Sequence, residues 1–117
     1  MQYMLQLTFR PGEAPEDGTP EYDADMERWH ALNEELKAAG HYVAASGLQY
    51  EAASTVRKTG DEVVVTDGPF AETQEVLFSF YLVDVPDLDA AIAIAAKTPA
   101  AAYGAVDIRP LVGFELA

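Results

Sequence analysis

Few side chains in this sequence are equipped to move a proton, and Asp67 comes first. In an ordinary Asx turn an aspartate accepts the backbone N–H two residues on. That residue is Pro69, which has none. The Asp67 carboxylate is therefore left for the N–H of Phe70, for an arginine or for a substrate. Phe70 beside it would desolvate the carboxylate, as a general acid or base working near neutral pH requires. The structural alternative is that Asp67 only ties its loop to the Phe70 amide or to Arg57.

His30 is the other candidate proton shuttle. Helical geometry sets it about 110° from the centre of an apolar stripe, at the rim of the buried face. There it either looks into a cleft or packs half-exposed. Arg57 and Arg109 are two of only seven basic residues. Each could grip an anionic substrate bidentately, or pair with one of the many carboxylates. Tyr81 and Ser79 are expected on the sheet face that carries Met4, Gln6 and Thr8, joined there by Asp107 and Arg109. Two separated histidines and no cysteine make a transition-metal site improbable, and no loop has the carboxylate spacing that Mg²⁺ or Ca²⁺ needs. No nucleophile with an adjacent base, phosphate-binding glycine loop or cofactor motif is readable, so no cofactor is expected.

These residues need mounting. In Gln2 to Phe9, Tyr3, Leu5, Leu7 and Phe9 alternate with more polar neighbours, the period of two of a half-buried strand. A helix follows the Arg10–Gly18 loop, with Thr19 as N-cap and Pro20 in the first position. Tyr22, Met26, Trp29, Leu32, Leu36 and Ala39 form its ~100° apolar stripe, and Gly40 ends it. Tyr42 to Gln49 reads as a strand, with Gly47 at a bulge or a close approach. Ala53 to Lys58 and Glu62 to Thr66 form a hairpin through Thr59-Gly60-Asp61. A nine-residue connection, Asp67 to Glu75, leads into the strand Val76 to Val83. Pro86 and Asp87 open a second helix that ends at Thr98-Pro99, and Ala105 to Leu111 is the last strand.

One domain spans residues 1–117. Net charge is −13, which repels phosphate backbones and anionic lipid, so direct nucleic-acid binding is not expected. No apolar run approaches ~18 residues and the N-terminus lacks a basic n-region, so neither a membrane span nor a signal peptide is expected. The lack of cysteine fits a reducing compartment, and a cytoplasmic location is the expectation.

The order is β-α-β, hairpin, β-α-β, an α+β arrangement with both helices on one face of a mainly antiparallel sheet. Val76 to Val83 is apolar on both faces. Its second face needs a cover, and another copy of the same sheet is the simplest source. A homodimer follows, with a polar-lined cavity between the sheets as one consequence. The rival placement leaves those polar side chains at solvated strand ends.

The run Val65-Thr66-Asp67-Gly68-Pro69-Phe70-Ala71-Glu72-Thr73-Gln74-Glu75 resembles the signature of the DGPF (DGPFAETKE) family of YCII-related proteins. The likeness extends through Tyr3-Met4-Leu5, Leu36-Lys37-Ala38-Ala39-Gly40, Thr55-Val56-Arg57 and Val106-Asp107-Ile108-Arg109-Pro110. It implies a ferredoxin-like sandwich that dimerises into an α+β barrel. It implies little about activity, although some distant YCII-like relatives are lyases acting on aromatic-derived rings through a histidine and an aspartate. Members are often encoded beside extracytoplasmic-function sigma factors. Gln74 stands where the signature has lysine, and Leu77-Phe78-Ser79 falls where many relatives have glycine before Phe-Tyr-Leu, so Phe78 would fill space that glycine leaves to a ligand.

Three function classes follow. One is a small-molecule lyase or isomerase at an Asp67, His30 and Arg57 cleft, with Arg109, Phe70 and Tyr81 contacting substrate. The second is a regulatory or ligand-sensing module that associates with a sigma factor. The third is a dimer whose signature loop is structural.

Overall fold

A computed structural model of the chain describes residues 1–67 and 75–113. Six strands are present: β1 (Gln2–Phe9), β2 (Tyr42–Gly47), β3 (Ser54–Thr59), β4 (Glu62–Asp67), β5 (Val76–Asp84) and β6 (Gly104–Pro110). Three helices accompany them: α1 (Pro20–Ala38), α2 (Leu88–Lys97) and the short α3 (Ala100–Tyr103). A 3₁₀ turn at Tyr50–Ala52 and helix α3 are additions to the elements expected from sequence.

The local signals work as their chemistry dictates. Thr19 Oγ1 accepts from the Tyr22 N–H at 3.1 Å, and Asp87 Oδ1 accepts from the Ala90 N–H at 2.9 Å. Gly40 takes φ +75° just past the end of α1, and Gly60 takes φ +61° in the β3–β4 turn.

Strands β2, β5, β1 and β6 form one sheet in that order, with every neighbouring pair antiparallel. This is the ferredoxin-like split β-α-β order, with the β3–β4 hairpin inserted between β2 and β5. Tyr3, Leu5 and Leu7 of β1 face the helices, and Leu5 and Leu7 are fully buried. They meet Leu32 and Leu36 of α1, Val83 of β5 and Ala91 and Ile94 of α2 in one core. Burying a Leu or Val contributes about 1.5–3 kcal/mol, so this inner face supplies most of the cohesion.

A slip in register decides two placements in β5, and that of Tyr81 differs from the expectation. The β1–β5 register slips between Leu7 and Thr8, because Leu7 pairs with Ser79 whereas Thr8 pairs with Leu77. The bulge lets Phe78 turn to the helix side, where it packs on the core. Tyr81 lies opposite Leu5 and also points to the helices, so it is not on the face of Met4, Gln6 and Thr8. Its hydroxyl donates to Asn33 Oδ1 of α1. Gly47 ends β2 without a bulge; a Cβ there would meet nothing within 4 Å, so it marks open space and not a close approach.

The other sheet face carries Met4, Gln6, Phe80, Leu82, Asp107 and Arg109, which pair across the strands. No helix covers it. Strands β3 and β4 pair with each other in a separate two-stranded sheet, and every residue of β4 is exposed.

Candidate functional site

A cavity of about 720 Å³ opens between the first half of α1, the 10–19 loop and the ends of β2 and β5. Its size falls in the range of small-molecule sites, ~300–1,000 Å³. The walls are aromatic. Phe9 meets Tyr50 and Phe78 edge-on at 5.0 and 5.2 Å, and Trp29 stands edge-on to Phe78 at 6.2 Å. Trp29 stacks on Tyr81 at 6.2 Å with the rings 23° apart. Phe78 therefore lines the cavity and does not close it.

Asp25 is the polar feature of this wall. It is 6 % exposed, a carboxylate on the buried face of α1 among Tyr22, Trp29 and Leu32. Helical spacing puts Trp29 one turn later, and its indole Nε1–H donates to Asp25 Oδ2 at 3.0 Å. The Tyr103 hydroxyl, from α3, donates to the same oxygen at 3.0 Å. Among the described residues no donor reaches Oδ1, and Asp25 is one of the residues that line the cavity.

The phenols around it stay protonated at neutral pH. Burial, then the charge of Asp25 and its hydrogen bond, push the Tyr103 pKa well up. Burial, reinforced by Tyr42, pushes the Tyr81 pKa up to about 12 against the opposing pull of Asn33. Tyr50 is also raised, by desolvation and then by Glu51. The cavity thus presents O–H and N–H groups held by one carboxylate, whose second oxygen has no donor among the described residues. The acids Glu16 and Asp17 also line it, and no lysine or arginine does among the described residues.

Tyr103 owes its position to Gly104. A Cβ on Gly104 would lie 1.9 Å from the Thr8 carbonyl oxygen, so only glycine lets β6 start this close to β1.

Of the residues singled out in the sequence, Tyr81 lines this cavity. His30 is exposed on α1 and lies outside the lining. Asp67 is exposed at the end of β4, opposite Ser54. Arg57 pairs with Val64, which by alternation puts it on the other face of the ribbon from Asp67. Arg109 lies on the uncovered sheet face, where its Nε donates to Gln6 Oε1 at 2.8 Å. Phe70, Glu72 and Gln74 lie outside the described residues. The structure thus brings together Tyr81, Phe78 and Gly47, and leaves Asp67, His30, Arg57 and Arg109 apart from them.

Asp25, Trp29 and Tyr103 form the group that sequence reasoning passed over as a site. The signal for Asp25 was present, since it falls inside the stripe of Tyr22, Trp29, Leu32 and Leu36. A charge at the centre of an apolar face is informative. Nothing in the sequence pointed to Tyr103 as its partner, 78 residues away.

Among the described residues no group of histidine and acidic side chains could hold a metal ion. No helix among them is long and apolar enough to cross a membrane.

The chain is similar to proteins of two kinds. It is 45% identical over 62 residues to an uncharacterized protein of Rhizobium meliloti (strain 1021), a match covering 51% of this chain and 50% of the relative. The chain thus matches about half the length of that curated relative. Its fold resembles 5-chloro-2-hydroxyhydroquinone dehydrochlorinase of Burkholderia phenoliruptrix AC1100, solved in complex with 2,5-dihydroxybenzoquinone. That likeness has a TM-score of 0.52 and 14% identity, and covers 96% of this chain and 94% of the other. The family profile of the YCII-related domain matches residues 1–115, and the chain belongs to that family.

Proposed function

We propose that the Asp25 cavity binds a small, neutral, hydroxylated aromatic ring and handles a proton on it, as a lyase or isomerase would. The observation that carries this reading is Asp25 itself. It is a buried carboxylate in the lining of an aromatic-walled cavity, with Oδ2 fixed by Trp29 and Tyr103 and with no donor to Oδ1 among the described residues. Flat walls favour a ring by offset stacking or edge contact. The open carboxylate oxygen would accept the ring's hydroxyl hydrogen bond, or take its proton and return it to another atom of the ring, with no redox change. Glu16, Asp17 and Asp25 on the lining disfavour an anionic ring, so a benzoate is a poorer ligand than a phenol. The solved dehydrochlorinase, named for a hydroxylated ring, is a supporting analogy of fold alone.

We further propose that the protein acts as a homodimer in which a second copy covers the sheet face of Met4, Phe80 and Leu82. Asp67 and His30, with Arg57, Arg109 and Phe70, would take part in the chemistry only where such an assembly draws them to a cavity.

The test is a thermal-shift and calorimetric panel of hydroquinones, catechols and benzoates on wild type, Asp25→Asn and Gly47→Leu. The amide of Asp25→Asn can still accept from Trp29 and Tyr103 but turns NH₂ toward the ligand. Gly47→Leu adds a side chain where there is open space, filling the cavity at little cost to folding. A ligand at one hundred times its Kd should stabilise wild type by about 2.7 kcal/mol and neither variant appreciably. Equal shifts in all three proteins, or a preference for benzoates, would overturn the reading.

A further inference from the structure

The β3–β4 ribbon has two unlike faces. Register puts Val56 opposite Val65, Lys58 opposite Val63 and Ser54 opposite Asp67 on one face, while Arg57–Val64 and Thr55–Thr66 share the other. The first face carries three valines that are 63%, 59% and 62% exposed (Val56, Val63 and Val65). A two-stranded hairpin is marginal in water by itself, and among the described elements this one packs chiefly on itself. The molecule is correspondingly spread out. Its radius of gyration is 16.1 Å, whereas a compact chain of this length would have ~13 Å.

From this we infer that the ribbon is an arm whose Val56, Val63 and Val65 face clasps a second copy of this chain. The inference rests on the homodimer reading above and adds where the second contact lies. Area argues for it. The open four-stranded face is roughly 19 by 24 Å, so packing two such faces buries ~900 Å² in total. That falls short of the ~1,200 Å² at which stable interfaces begin. Each ribbon face, with strands of six residues, offers ~200 Å². Two clasping arms and the surfaces they cover bring the total to ~1,700 Å², the standard size for a specific pair. The ribbon springs from the 3₁₀ turn at Tyr50–Ala52, and Tyr50 lines the Asp25 cavity, so the clasp would lie beside the cavity mouth.

The test compares wild type, Val56→Glu/Val65→Glu and Val64→Glu by light scattering across micromolar concentrations, with circular dichroism to confirm folding. These valines lie outside the core, so the variants should fold. Wild type should show twice the 12.7 kDa chain mass, the double variant a Kd at least ~100-fold weaker, and Val64→Glu little change. A dimeric wild type with an equally tight double variant would overturn the arm and leave the homodimer standing. A monomeric wild type would overturn both. A second readout uses the absence of cysteine. A maleimide should label Val65→Cys at least ~10-fold more slowly than Val64→Cys, since the apolar face is the one covered in the dimer. Equal rates in a dimeric sample would refute the clasp.

Discussion

Replacing Asp25 by alanine tests whether the carboxylate organises the cavity. The substitution leaves the Trp29 N–H and the Tyr103 O–H without their shared acceptor. Hydrogen bonds to a charged group are each worth about 1.5–3 kcal/mol. Water entering the 720 Å³ cavity would replace part of that, and relief from holding a carboxylate at 6 % exposure offsets a little more. A net loss of about 2–4 kcal/mol remains. For 117 residues the unfolding entropy is about 0.25 kcal/mol per kelvin, so Tm should fall by roughly 8–16 °C. Urea unfolding gives the free energy directly, provided the slope is unchanged. Tyr103→Phe alone should cost about 1–2 kcal/mol, because Asp25 keeps Trp29. In the Asp25→Ala background the same change should cost nothing, since it removes a donor already orphaned. The cycle should therefore show about 1–2 kcal/mol of coupling. Strict additivity, or an Asp25→Ala loss under about 0.5 kcal/mol, would refute the network.

Two further outcomes follow from the same geometry. Gly104→Ala should destabilise the protein by about 2–4 kcal/mol in urea unfolding and weaken ring binding, because the new Cβ would strike the Thr8 carbonyl at 1.9 Å and push β6, with Tyr103, off β1; a neutral variant would contradict the close approach. Stability should also fall as pH rises from 10 to about 12, since Tyr81 keeps its proton in the folded state over that window while the unfolded chain, with its pKa at 10.0, releases it. The Tyr81 contribution is fully present below pH 10 and lost as pH rises through the folded value, so Tyr81→Phe should flatten the alkaline decline; an unchanged slope would exclude it.

Much of the fold could be read from local chemistry. Thr19, Pro20 and Gly40 bound α1 because capping and left-handed φ are decided within a few residues of chain. Tyr3, Leu5 and Leu7 mark the buried face of β1 because side chains alternate across a strand. The extended likeness to YCII-related proteins carried the sheet order. The site was less legible. Asp25 stood within an apolar stripe, a weaker local signal than that of Asp67, where Pro69 removes the usual N–H partner two residues on.

What the sequence by itself determined was the set of elements, their caps and the faces they bury, since each depends on neighbours within one or two turns. Only the tertiary structure decided which side Phe78 and Tyr81 take, because a one-residue slip against β1 is a property of two strands. It alone brought Tyr103 to Asp25, across 78 residues, through a glycine that lets two backbones approach where no side chain would fit.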